Sequence, residues 1–242
     1  MIMMDYEEIT NVATRERELE MSAAFPVLMR KVYLWMSLAL AITGFTAFYV
    51  ANSQTLMMAI LGNQLVFWGL VIAELALVVG LNAAINKLSL TTATIMFVVY
   101  SVINGVTMSF IFLAYTFSSV ASVFFITAGT FAAMALFGYF TKTDLTSFGK
   151  LFMMALIGII IATIVNIFVK SEGLTMILNY LGVLVFVGLT AYDSQKIKQM
   201  LLTAPDAGEG AQKLALLGSL SLYLDFINLF LYLLRIFGTR RD

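Results

Sequence analysis

The chain contains neither histidine nor cysteine. Zinc sites of the usual kind, thiolate chemistry, His-ligated haem and Ser-His or Cys-His nucleophilic catalysis therefore lack their ligands or bases. Proline occurs only twice in 242 residues. Charge is scarce as well: 12% of residues are charged against 61% hydrophobic, and the net charge is zero. No basic stripe is long enough to engage nucleic acid. With histidine absent, titration near neutral pH falls to carboxylates in unusual surroundings. A composition this apolar lies outside that of soluble globular domains and marks an integral membrane protein.

What is present is a series of long apolar runs. Crossing the hydrocarbon core takes about 20 apolar residues in a helix. Segments 32–51, 65–85, 93–115, 120–140, 151–169, 174–192 and 216–237 meet or approach that length. The expectation is an all-α seven-helix transmembrane bundle over 32–242, preceded by a cytoplasmic N-terminal segment, 1–31. Six of the 14 acidic residues lie before residue 21, so residues 1–24 do not resemble a signal peptide, and 32–51 is expected to act as an uncleaved anchor. With the N-terminus inside, ten Lys and Arg fall on the cytoplasmic side (Arg15, Arg17, Arg30, Lys31, Lys87, Lys142, Lys150, Lys196, Lys198 and Lys213) and four outside (Lys170, Arg235, Arg240 and Arg241). That asymmetry favours N-in, and simple alternation then puts the C-terminus outside. Small-residue spacings at Gly182, Gly188 and Ala191 and at Gly129 and Ala133 suit close helix packing. The scattered Met and Phe read as packing and lipid-facing filler.

Against this background Asp225 stands out. It has no charged neighbour for nine residues on either side, and a charge at the centre of a membrane helix costs about 2.5–3.5 kcal/mol even on insertion scales. Ser221, Asp225, Asn228, Tyr232 and Arg235 share an arc of roughly 80° on an otherwise apolar helix, which points that face into the bundle. Two readings of Asp193 stand on the local sequence. It is either a charge at a helix end near the headgroups, or, if the helix continues toward Pro205, a partner that faces Asp225. Two carboxylates in contact cannot both ionise cheaply and titrate as a unit. Glu74 is a third isolated acid, with Asn82 and Asn86 on the same helix, and reads either as a hydrogen-bonded core residue or as a pore-lining one. Asn104 and Asn166 read as helix–helix hydrogen bonders. Carboxylates, carbonyls and water are ligands suited to calcium, although no loop-type calcium motif is present.

The run GLTAYDSQKIK at 188–198, followed by LYLDFINLFLYLLRIFG at 222–238, resembles the Bax inhibitor-1 family, also called the transmembrane Bax inhibitor motif or lifeguard family, and the short loops resemble its bacterial members. The resemblance implies a seven-helix bundle with the last helix central, acting as a pH-sensitive calcium leak. It implies that Asp193 and Asp225 form the pH-sensing pair and that Glu74 matches an acid in the second helix of bacterial relatives. In some relatives an Arg on that helix latches onto the sixth-helix aspartate. This chain has no Arg there, and Asn82, Asn86 and Lys87 are the nearest polar residues.

The leading expectation is therefore a calcium or cation leak in a bacterial inner membrane, gated by protons at Asp193 and Asp225. Glu74, Ser221, Asn228 and Tyr232 are expected along the ion path, and the two aspartates as calcium ligands. Calcium enters as the transported ion, with no resident cofactor. The expected partners are the lipid bilayer, calcium and protons, with a protein partner left open. Two other classes remain, a proton-coupled transporter of a small solute and a regulatory membrane protein acting on a protease or cell-death partner. A retinal protein needs a Lys in the last helix and an intramembrane serine protease a His or Lys base at depth. Neither is available, and no enzymatic activity is expected.

Overall fold

The computed structural model describes residues 6–204 and 207–241, and only the backbone of 6–20, Ser22 and Leu61. Residues 1–5 of the N-terminal segment, Pro205 and Asp206 of the loop before the last helix, and Asp242 lie outside the described residues. The described chain forms α1 (Tyr6–Ala51), α2 (Gln54–Leu61), α3 (Gln64–Ala84), α4 (Leu90–Met108), α5 (Ile111–Ala114), α6 (Phe117–Phe140), α7 (Thr146–Val169), α8 (Glu172–Leu202) and α9 (Glu209–Phe237). Seven of these stretches are long and apolar enough to cross a membrane, with α4 and α5 together forming the third. Short polar residues start several of the helices. Ser53, Asn63, Ser89, Thr116 and Ser171 each accept from a backbone N–H one turn or less into the helix that follows, satisfying donors that have no partner inside the helix. Lys170 closes α7 in the left-handed region, φ 54°, and turns the chain directly into α8.

Several helix bounds differ from the apolar runs, with α7 starting at Thr146 and α9 at Glu209, and three differences have a visible cause. The first helix extends upstream to Tyr6, because residues 6–25 are rich in good helix formers even though they are polar. The third crossing breaks after Met108, where the Ser109 hydroxyl donates to the Val106 carbonyl at 2.7 Å, a local bond that competes with helix continuation. The sixth runs ten residues past Tyr192, to Leu202. Its added turns carry a buried face of Ser194, Gln195, Ile197 and Leu201, so tertiary packing rather than apolar composition holds them helical.

Burial sorts the helices. In α9, 61% of the apolar window is buried, against 6% in α3 and in α7. α9 packs against α1, α4, α6 and α8, whereas α7 leans on α8, and α3 on α4 and α2. Glu209, at the start of α9, accepts from the Leu90 N–H at 2.9 Å, beside the α3–α4 connection. Beyond the other end of α9, Arg240 bridges to Tyr115, and the Thr116 N–H donates to the Thr239 carbonyl at 3.1 Å. The last helix therefore runs from one face of the bundle to the other. Its 29 residues span about 43 Å, more than the ~30 Å hydrocarbon core.

Glycine sets the closest approaches. A Cβ on Gly138 of α6 would strike the Ala191 backbone of α8, and one on Gly188 or Gly149 the rings of Phe152 or Tyr192. Gly129 has nothing within 4 Å of where its Cβ would lie. The spacing of Gly129 and Ala133 therefore marks no close crossing, in contrast to the expectation. Small-residue spacing shows where helices can approach, but which face is used depends on the partner helix.

Candidate functional site

α8 and α9 run antiparallel, and two glycine contacts fix their register. A Cβ at Gly218 would meet Ile197 at 2.9 Å, and one at Gly182 would meet the Tyr232 ring at 2.5 Å. Residues 197 and 182 thus lie level with 218 and 232, which puts Asp193 level with residues 221–222. Asp193 is then one turn from Asp225, an offset of about 4.5 Å along the axis. Asp225 is 5% exposed, and its Oδ2 atom, also buried, has no hydrogen-bond partner among the described residues.

The bareness of that oxygen has a local cause. The buried hydroxyls nearby in sequence on these two helices are already used on their own backbones: Thr190 donates to Phe186 at 2.7 Å, and Ser219 to Ala215 at 2.8 Å. Such back-bonding leaves a hydroxyl no proton to give to a carboxylate. Lys196 is exposed and stacks over Tyr192 at 5.8 Å rather than forming an ion pair with either aspartate. The result is a buried carboxylate one turn from the level of a second, with neither ion-paired to Lys196.

The residues after Asp193 hold it in place. Ser194, fully buried, donates to the Ala135 carbonyl of α6 at 2.8 Å and lies 3.2 Å from the Tyr33 hydroxyl of α1. Gln195 reaches the α6–α7 connection twice: its Oε1 accepts from the Leu145 N–H at 2.8 Å, and its Nε2 donates to the Thr143 carbonyl at 2.8 Å. Leu145 offers no side-chain cap to α7, so this start depends on Gln195 and on Asp144, which accepts from the Thr146 N–H at 2.9 Å. Hydrogen bonds from Thr146 hold the Asp144 carboxyl below the ordinary carboxylate range. Replacing Gln195 by Leu strands the buried Leu145 N–H, at a cost of about 1–3 kcal/mol, and also removes the bond to the Thr143 carbonyl, which lies on an exposed residue. Gln195→Leu should thus unfold at a clearly lower temperature in detergent, and an unchanged midpoint would refute this anchoring role.

Glu74 does not join the aspartates. From α3 it accepts a hydrogen bond from the Thr107 hydroxyl of α4 at 2.6 Å. Nearby, Asn104 accepts from the Tyr223 hydroxyl at 3.0 Å, which lies 2.7 Å from Thr43 of α1. Thr43 in turn donates to the Ser101 carbonyl at 2.9 Å. Four helices thus meet in one buried polar network. Its centre is Tyr223, fully buried, edge-on to Phe97 and Tyr100 and two residues before Asp225. Among the described residues no three acidic, His or Cys side chains gather as a metal cage.

Residues 26–242 match the family described as "Inhibitor of apoptosis-promoting Bax1". The chain belongs to the Bax inhibitor-1 family. It is similar to the inner membrane protein YbhL of Escherichia coli (strain K12), 51% identical over 221 residues, 90% of this chain and 94% of YbhL. It is also similar to an uncharacterized protein of Borreliella burgdorferi, at 45% identity over 88% of this chain and 92% of that one. A Rickettsia prowazekii protein, RP147, is 40% identical over 99% of this chain and all of its own length. The protein is a multi-pass integral membrane protein of the Bax inhibitor-1 family, seven-helical in its crossings.

In this Bax inhibitor-1 family member the other polar residues go separate ways. Asn228 donates to the Leu224 carbonyl of its own helix at 2.8 Å, and Ser221 is half-buried at the level of Asp193. Tyr232 stacks on Phe186 at 5.8 Å, and the Arg235 guanidinium lies over the Tyr232 ring, 5.4 Å from its centroid. Asn82 donates to its own Val78 carbonyl at 2.8 Å, so it does not act as a latch. Asn166 bonds Ser171 and Thr175 across the α7–α8 connection, at 3.2 and 2.7 Å. Tyr223, Thr43 and Thr107 are not singled out by the sequence, and Ser194 and Gln195 enter it only as part of the run that carries the family resemblance. The one signal for Tyr223 was its position in the most polar part of an aliphatic helix.

Proposed function

We propose that the protein is a pH-sensitive cation leak of the bacterial inner membrane, with calcium as the permeating ion and Asp193 and Asp225 as the proton sensor. The observation that carries this reading is the buried, unpartnered Oδ2 of Asp225, one helical turn along the axis from the level of Asp193. Two carboxylates that close hold either a shared proton or a neutralising cation more cheaply than two bare charges. Gain or loss of that proton changes the force between α8 and α9, and the packing of the two helices follows. Two carboxylates fall short of the ~6–8 oxygens of a resident calcium, which suits an ion in transit that keeps part of its water. In this reading the N-terminus is cytoplasmic, Asp193 lies toward the cytoplasmic half, and the protein performs no enzymatic step and needs no cofactor. Glu74, in its separate network, shapes the path from α3 rather than sensing protons with the pair.

Calcium flux into proteoliposomes, followed across pH 6–8, tests this. The wild-type protein should pass calcium in a pH-dependent manner, and Asp193→Asn and Asp225→Asn should each flatten the pH profile while the protein stays monodisperse. A profile unchanged in both variants overturns the sensor. Solute uptake driven by a pH gradient, without calcium flux, replaces it with proton-coupled transport.

A further inference from the structure

At the end of the bundle where α8 starts and α9 stops, two adjoining hollows of about 550 and 170 Å³ share Thr175, Asn179 and Arg235. The larger falls within the ~300–1,000 Å³ of ordinary ligand sites. Asn179 is only 8% exposed and lines both hollows, yet its amide has no hydrogen-bond partner among the described residues. The bare amide atoms open into the hollows rather than being sealed in the core, so their donor and acceptor are free to bond an occupant. Arg235 and Arg240 line the larger hollow with Glu172, and none of the three forms an ion pair; the ion pair among the described residues is Lys213–Glu209, at the other end. Two guanidiniums and one carboxylate, unpaired around one hollow, match a ligand that carries both an anionic and a cationic group.

Location narrows the ligand further. Glu172 opens α8, and Arg235 lies in the last turn of α9, so the hollow sits where the helices leave the hydrocarbon. Its wall includes Met176 and Tyr180, both exposed on α8, apolar and amphipathic surface suited to the interface between acyl chains and headgroups. Guanidinium is the group best matched to phosphate, through parallel charge-assisted hydrogen bonds.

We propose that this crevice holds the headgroup of one aminophospholipid, its phosphate between Arg235 and Arg240, its primary ammonium at Glu172, and an ester oxygen or phosphate oxygen at the Asn179 amide. The site lies apart from the aspartate pair and does not depend on the calcium reading. Arg235 also rests on Tyr232, which packs over Gly182, so an occupied crevice braces the α8–α9 contact at this end.

The test is lipid retention by the full-length, delipidated protein in detergent, read by native mass spectrometry with dioleoyl phosphatidylethanolamine, dioleoyl phosphatidylglycerol or inorganic phosphate added. One phosphatidylethanolamine should be retained per chain. Arg235→Gln with Arg240→Gln should weaken retention by about tenfold or more, and Arg240→Gln alone, on the exposed tail, should weaken it measurably with no change in melting temperature. Glu172→Gln should weaken phosphatidylethanolamine and leave phosphatidylglycerol unchanged, whereas Lys87→Gln, at the opposite end, should change neither. Retention unaffected by the arginine variants overturns the proposal. So does inorganic phosphate that competes as well as the lipid, which makes the crevice a free-anion site.

Discussion

Gly138→Val should leave little or no folded protein. The Cβ it adds lands on the Ala191 backbone of α8, and a helix backbone has no rotamer with which to yield. Overpacking a core where side chains can adjust already costs about 1–3 kcal/mol, and here α6 and α8 must separate as whole helices. Ala191 is two residues from Asp193, and Ser194 hangs from Ala135 on the same α6 surface. Any variant that does fold therefore carries a displaced aspartate. The matched controls are Gly129→Ala and Gly158→Ala, which meet nothing within 4 Å. In helix interiors these should be neutral or stabilising by about 0.5–1 kcal/mol, because alanine gives up less backbone freedom than glycine on folding. Thermal melting followed by size-exclusion chromatography in detergent reads all three. A Gly138→Val midpoint close to that of the wild type would show that α6 and α8 are not in backbone contact.

Asp225→Leu should raise the unfolding temperature and remove the pH dependence of flux. A carboxylate kept to hold helices together destabilises the protein when it is removed. Asp225 has a buried oxygen with no partner among the described residues, so it strains the folded state. An unsatisfied buried polar group costs about 1–3 kcal/mol, and leucine of similar size adds apolar contact with α6 and α8. Phe226 alongside, ringed by Phe124 and Phe131 at 5.4 Å, leaves the rest of that surface well packed. A gain in stability with a loss of regulated flux is the mark of a residue retained for function at a structural cost. A fall in melting temperature of several degrees would instead assign Asp225 a structural role.

The two glycines and the acids illustrate what was legible before the structure. Gly129 and Gly138 look alike in sequence, small residues on one apolar helix, yet one faces open space and the other a backbone. Asp225 and Glu74 also look alike, each an isolated acid at membrane depth. The structure buries the first with a bare Oδ2, one turn from the level of Asp193, and hangs the second on Thr107, in a network centred on Tyr223. Asp193 left two readings open in sequence. The structure continues α8 to Leu202 and sets it antiparallel to α9, which brings Asp193 to within one turn of the level of Asp225. Ser194 and Gln195 belong to the run that carries the family resemblance, but their part as buried anchors that tie α8 to α1, α6 and the start of α7 was not legible, because it depends on residues far away in the chain.

Membrane residence, the seven crossings and the costly position of Asp225 were determined by the sequence alone. Each follows from hydrophobicity summed over a local window, and the bilayer reads that sum directly. Which helix is buried, which glycine is a contact and which carboxylate has a partner were decided only by the tertiary structure. Those properties belong to pairs of residues far apart in the chain, and their energies exist only once both members are brought together.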